Sequence, residues 1–237
     1  MTGYADYRYW KGWTRKPFGI WPPEAEVYFS EELRRSGIAS ISGIAVLEIG
    51  FGNGEFAGWA RKSGAKYVGT EIISDLLQQG LNAGFEVIAG TEPLDRFLNE
   101  QSVDLIVAFD VFEHFEADEF RSALVLARRL LRPYGRLIAR VPSGDSPFSR
   151  AIQHGDATHR ATLGSSMIRQ LASEAGLTVQ SVREPAFPLR GLGAKTFMRR
   201  AAVRCIQRIA FPFFTRAFMG GGAPVLTPDL VFVLVKQ

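Results

Sequence analysis

Val46-Leu47-Glu48-Ile49-Gly50-Phe51-Gly52-Asn53-Gly54-Glu55-Phe56 is the stretch on which the fold turns. The apolar run Ile44 to Ile49 reads as a buried strand, three glycines at alternating positions follow, and a helical pattern then begins. Glycine lets the backbone turn sharply and come close to a ligand, because no Cβ stands in the way. The next helix aims its unpaired N–H groups at the same space. The spacing separates this cradle from two others. A dinucleotide fingerprint needs G-x-G-x-x-G, but here Glu55 stands where its third glycine should be. A P-loop needs a lysine and a hydroxyl in register, and neither is present. Glu48 and Glu55 flank the loop, so a ligand with a cationic centre suits it better than pyrophosphate.

Working outward, the chain alternates strand and helix patterns from 44 to 141, which predicts a parallel sheet. Lys66 to Glu71 reads as a second strand ending in an acid, 21 residues after Gly50. A carboxylate there can accept both hydroxyls of a ribose. Phe85 to Ala89 reads as a short third strand, followed by Gly90-Thr91-Glu92. Val103 to Phe109 is the clearest fourth strand and runs into Asp110-Val111-Phe112-Glu113-His114. A helix over Ser122 to Leu131 is stopped by Arg132-Pro133-Tyr134-Gly135, and a fifth strand covers Arg136 to Val141. Ser165 to Ala175 reads as a helix with Gly176 as its C-cap. Leu177 to Arg183 and Leu230 to Val235 read as the last two strands.

E-x-G-x-G-x-G after a strand, the acid at Glu71 and the Glu113-His114 pair after strand four together resemble the class I S-adenosylmethionine-dependent methyltransferases. The resemblance implies a doubly wound, mostly parallel, seven-stranded Rossmann-like α/β sheet and S-adenosylmethionine as cofactor, with S-adenosylhomocysteine as product. It carries cofactor contacts to Glu48, Gly50, Gly52 and Gly54, to Glu71 for the ribose, to Thr91 and Glu92 near the adenine, and to Asp110. "LRPYGRLIARVP" is similar to the family's entry into strand five. The stretch Gly155 to Leu177 resembles a subgroup of bacterial methyltransferases, several of which act in cell-surface polysaccharide and lipopolysaccharide assembly.

Two organisational features lie outside the core pattern. Residues 1–43 form an aromatic arm (Tyr4, Tyr7, Tyr9, Trp10, Trp13, Phe18, Trp21) with a helix over Glu24 to Arg35 favoured by Pro22 and Pro23. Such an arm either folds over the cofactor site or packs on the domain, which occupies 44–237. The connection 142–164 is long enough to be functional and holds Asp145, His154, Asp156, Thr158, His159 and Arg160. The second feature is a basic helical insertion over 190–220. Arg200, Arg204 and Arg208 share a helix face there, and Pro212 should kink or end the helix. A basic amphipathic helix of this kind suits an anionic membrane surface, each arginine adding roughly 1 kcal/mol. The other reading packs it on the domain or in a homo-oligomer interface.

The rest narrows the chemistry. Methyl transfer to a hydroxyl needs alignment and a base, and His is the usual base near neutral pH. His114 and then His159 are the catalytic candidates. The net charge of +4 is local to the arginine-rich segment and accompanies no nucleic-acid module, so no nucleic-acid partner is expected. The Asn/Asp-Pro-Pro-aromatic motif of amino-methylating nucleic-acid enzymes and the paired-glutamate loop of arginine methyltransferases are both missing. The lone Cys205 excludes an intrachain disulfide or a Cys-based zinc cluster, and Asp110 with Glu113 does not amount to a metal site. No apolar signal core or spanning stretch is evident, which points to the cytoplasm, with peripheral attachment to the inner membrane. The expected activity is O-methylation of a glycan or lipid-linked glycan precursor in envelope biosynthesis. The alternatives are methylation of a quinone-like lipid or small metabolite, or a non-catalytic cofactor-binding scaffold at the membrane.

Overall fold

The computed structural model describes residues 7–13, 17–189, 191–222 and 224–237, with the side chains of Tyr7 and Arg8 excepted. Tyr4 and Arg190 lie outside these residues. Seven strands form one sheet: β1 (Ala45–Ile49), β2 (Lys66–Glu71), β3 (Val87–Ala89), β4 (Val103–Phe109), β5 (Leu131–Pro142), β6 (Thr178–Arg183) and β7 (Asp229–Val235). Their order is β3-β2-β1-β4-β5-β7-β6. All neighbouring pairs are parallel except those of β7, which runs antiparallel to β5 and β6. The strand order reverses at β1 and β4, and a crevice opens there at the strands' carboxyl ends. That is where a doubly wound sheet places its ligand.

The helices are α1 (Tyr7–Trp10), α2 (Pro23–Arg35), α3 (Glu55–Lys62), α4 (Ser74–Asn82), α5 (Ala117–Leu130), α6 (Arg150–Gln153), α7 (Ser165–Glu174) and α8 (Ala194–Phe218). They cover both sheet faces, because strands that are apolar on both sides must be buried on both. One core packs Phe112, Phe120, Leu124, Ile168 and Leu171 against Leu47, Leu137 and Phe232. The other packs Phe29 and Leu33 of α2 against Phe56, Trp59, Tyr67 and Phe85. Residues 23–35, read in the sequence as part of an arm, are thus built into the second core.

Three expected boundaries move. The helix expected from Ser122 starts at Ala117, because Glu116 and Glu119 form a reciprocal capping box at its N-terminus. β5 starts at Leu131 rather than Arg136: Leu131 still pairs with Val103 before the register shifts, and Tyr134 takes a left-handed φ of 63° at the irregularity. α8 does not end at Pro212 but runs through it to Phe218. Pro212 lacks one amide donor, and its position on an exposed helix leaves the unpaired carbonyl to water.

The arginine row on α8 also needs correcting. Arg200 donates to the Pro188 carbonyl at 2.7 Å, and Arg204 donates to Glu184 at 2.8 Å. Both guanidiniums lie 5.2 Å from the centre of the Phe187 ring. These two side chains hold the helix to its own domain, and only Arg208 of the three is exposed. Periodicity shows which residues share a face, but not whether that face meets protein or solvent.

Candidate active site

The three glycines of the loop adopt φ values of 70°, 54° and 74° at Gly50, Gly52 and Gly54, a region that disfavours every residue with a Cβ. The loop is pinned by Gly50 and Phe51 donating to the Thr70 carbonyl at 2.9 and 3.1 Å. Space is as restrictive as the backbone angle. A Cβ on Gly50 would stand 2.6 Å from Val111 Cγ2, and one on Gly54 would stand 2.5 Å from the Phe18 ring. Trp13 covers Gly52, so the N-terminal arm closes over the loop.

A cleft of about 970 Å³ opens beside this loop, within the range of small-molecule sites. Glu48, the three-residue stretch Gly50 to Gly52, Asn53, Glu71 and Asp110 line its inner part. Glu71 is held by backbone: Oε2 accepts from Gly52 N at 2.9 Å, and Oε1 accepts from Ile72 N and Ile73 N at 2.8 and 3.0 Å. Burial nevertheless raises its pKa, with those three amides opposing the shift. Glu48 accepts from the Tyr67 hydroxyl at 2.6 Å, and burial pushes its carboxyl up to about 8. Asp110 has a left-handed φ of 59° and accepts from Arg140 Nε at 2.8 Å. Thr91 and Glu92 fall outside the lining: both are exposed, and Glu92 lies 3.8 Å from Arg96. Gly90 and Ile72 line the cleft at that point instead.

Asn53 was not anticipated. It is buried, it lines the cleft, and neither of its amide atoms has a hydrogen-bond partner. A buried amide left without partners is costly, which marks it as a contact for a bound polar group. The glycine-rich context was the available signal, but Asn also suits a turn for purely local reasons.

The acceptor side is assembled from two distant segments. His114 lines the cleft, and its Nδ1 lies 3.2 Å from the Thr158 carbonyl and 3.0 Å from Thr158 Oγ1. Thr158 Oγ1 donates its own proton to Asp156 at 2.5 Å, so it can only accept from His114. Nδ1 of His114 therefore carries the hydrogen and Nε2 the lone pair. Burial lowers the pKa of His114, which keeps it neutral at pH 7. His159 stands behind it with ring centres 4.9 Å apart, its Nδ1 3.1 Å from the Gln153 carbonyl. Its Nε2 lies 3.8 Å from Asp156 and 4.0 Å from Glu113. Burial holds the Glu113 carboxyl well above the usual range, with Asp110 adding to the rise. Among the described residues, Glu113, His114 and His159 are a group whose ligand atoms, all within 4.8 Å of one another, could close on one ion. His154 is exposed at the end of α6.

Residues 25–182, well over half of the chain, match the sequence model of a family described as a methyltransferase domain. The chain belongs to the class I S-adenosylmethionine-dependent methyltransferases. A methyltransferase of this cofactor class from Archaeoglobus fulgidus superposes with a TM-score of 0.62 at 17% identity, covering 91% of this chain and 95% of that one. One from Mesorhizobium loti gives 0.57 at 15% identity, covering 85% and 95%. The cyclopropane synthase MmaA2 of Mycobacterium tuberculosis gives 0.55 at 17%, covering 88% and 84%. A comparison with curated proteins returned no match. At these identities the structural likeness speaks to the fold, and the family match makes this methyltransferase an enzyme whose cofactor is S-adenosylmethionine. The cleft fits that group: Asn53 offers two unpartnered polar atoms, and Glu48 and Glu71 offer carboxyl groups beside the backbone of Gly50 and Gly52.

Proposed function

We propose that this enzyme methylates a hydroxyl of a glycan or lipid-linked glycan precursor in bacterial envelope biosynthesis, working in the cytoplasm or at the inner face of the membrane. The observation that supports it best is His114, a neutral imidazole on the cleft wall whose Nε2 holds a lone pair. When bound, S-adenosylmethionine supplies an electrophilic methyl group and leaves as S-adenosylhomocysteine. Gly50 and Gly52 would let the backbone approach it, Glu71 would accept from its ribose, and Asn53 would meet its amino-acid end; Gly54, under the Phe18 ring, lies outside the cleft lining. Gly90 and Ile72, rather than Thr91 and Glu92, would border its adenine. His114 takes the acceptor hydroxyl's proton, and His159 keeps the pair of imidazoles in place.

Trp13 and Phe115 bring aromatic rings to the cleft, which suits packing against a sugar ring. The apolar stretch Val111, Ala123 and Leu126 favours the second reading, a quinone-like lipid or small metabolite. A scan with methyl-labelled cofactor tests both. Pure enzyme is incubated with nucleotide sugars, lipid-linked glycan extract, quinones and soluble metabolites. Label in a glycan fraction supports the first reading, and label confined to quinones or metabolites moves the assignment to the second. Cofactor binding by calorimetry with no label in any fraction favours a non-catalytic scaffold.

A further inference from the structure

α8 is 25 residues long and buries none of its side chains. At 1.5 Å per residue it extends about 37 Å. Met198, Ala202, Ile206, Ile209 and Phe213 follow one another at intervals of four, four, three and four, so they form a single stripe. That stripe faces solvent: Ile206 is 66% exposed, Ile209 73% and Phe213 63%. Arg200 and Arg204 project the other way and hold the helix to Pro188 and Glu184. The charges left in solvent are Lys195 and Arg199 at one end, Arg208 along the side and Arg216 at the other end, and the helix contains no Asp or Glu.

We infer that this outward face of α8 docks on an anionic lipid surface, lying flat in the interface with the stripe inserted among the acyl chains. Charge complementarity selects the occupant. Lipid phosphates match the unopposed cations, whereas a second copy of the chain would set the same cations against each other. The helix lies on the bilayer rather than across it, because among the described residues no helix is long and apolar enough to span. Phe214 of α8 meets Phe148 at 5.7 Å, and Phe148 belongs to the connection 142–164 that also carries His159. Docking therefore sets the connection that carries His159 beside the docked helix. The bearing of that placement on catalysis rests on the proposed function; the lipid contact itself does not.

The test is flotation of the full chain with vesicles of phosphatidylglycerol and phosphatidylcholine in equal parts, against phosphatidylcholine alone. An environment-sensitive fluorophore on Cys205, which is exposed and borders the stripe, gives a second readout. The native chain should float at least tenfold more with anionic vesicles, with a blue shift of the fluorophore. Ile206→Asp/Ile209→Asp and Lys195→Glu/Arg199→Glu/Arg216→Glu should each lose at least fivefold. Arg200→Gln/Arg204→Gln should stay within twofold of native. These side chains are exposed, so the two face variants should keep native circular dichroism and native cofactor binding by calorimetry. No flotation of the native chain, equal flotation of the face variants, or loss confined to Arg200→Gln/Arg204→Gln overturns the inference. So does a native dimer that the Asp variant dissolves. Methyl transfer to a soluble acceptor is measured separately, so failure of docking leaves the functional reading standing.

Discussion

The two walls of the cleft are built by different means. The cofactor wall is backbone: three left-handed glycines and a carboxylate gripped by three amides, all between Glu48 and Ile73. The acceptor wall is imidazole side chains set at long range: His114 Nδ1 meets the hydroxyl and carbonyl of Thr158 across 44 positions of sequence, and His159 Nδ1 meets the Gln153 carbonyl. A wall made of backbone conformation tolerates few residue types and leaves a mark in contiguous sequence. A wall made of converging side chains can be re-specified one residue at a time, which is how one fold serves many acceptors.

The sharpest test of this division is His114→Ala. Turnover should fall by about 10²- to 10⁴-fold, the usual worth of a positioned base. The dissociation constant for S-adenosylmethionine should stay within twofold. Burial lowers the pKa of His114 from 6.5, so kcat/KM should rise as pH increases through the acid side of neutrality and then level off. Equal losses in turnover and cofactor affinity would mean that the walls are not separable.

Glu48→Gln probes the cofactor wall. Burial raises the folded pKa from 4.5 to about 8, so between those values the folded chain keeps a proton that the unfolded chain has lost. Stability therefore falls as pH rises through that window, by at most ~5 kcal/mol for the full shift at 1.36 kcal/mol per unit. Gln can still accept from Tyr67 but does not titrate. Denaturant unfolding at pH 5 and pH 8.5 should show a flatter dependence for the variant, and parallel slopes would place the burial cost elsewhere.

Legibility followed the same division. β1, β2 and β4 lie where the apolar runs put them, and the glycine loop and Glu71 needed only neighbouring residues to be read. Thr91 and Glu92 did not reach the cleft because a three-residue β3 turns away at Gly90, whose N–H is bound to the Glu71 carbonyl at 2.8 Å. The Thr158 link to His114 depends on how the 142–164 connection folds back, with Arg160 and Ala161 donating to the Glu113 carbonyl at 2.8 and 3.0 Å. No local pattern encodes such a closure. Periodicity groups the arginines of α8, but it does not show that Arg200 and Arg204 turn inward while Arg208 stays exposed, since Pro188, Glu184 and Phe187 lie in an irregular segment.

Gly50→Ala should give the next smaller effect. The left-handed φ costs about 1–2 kcal/mol for a residue with a Cβ, and Val111 stands 2.6 Å from where that Cβ would be. The expected result is a folded chain less stable by about 1–2 kcal/mol in denaturant unfolding, with cofactor affinity lowered as far as the loop moves away from Val111. Adding Val111→Ala should restore the steric part and leave the backbone part. Full recovery in the double variant would show that space, and not conformation, governs the loop.

The smallest effect is expected at Thr158→Val, which crosses from packing to chemistry on the acceptor wall. Asp156 titrates near 2: burial opposes its charge, but the Thr158 hydroxyl and amide, Lys11 and His159 together outweigh that. A depressed carboxylate stabilises the fold above its unfolded value of 3.8 and loses that contribution as pH falls through 2. Valine removes the hydroxyl bond, so the variant should be less stable than the native chain by about 1 kcal/mol at pH 7, with the gap closing towards pH 2. It also removes one of the two oxygens facing His114 Nδ1, while the Thr158 carbonyl at 3.2 Å remains. Turnover should therefore fall only a few-fold, with cofactor affinity unchanged. A loss as large as that of His114→Ala would mean that the hydroxyl alone orients the imidazole, making the acceptor wall more brittle than its two-oxygen geometry implies.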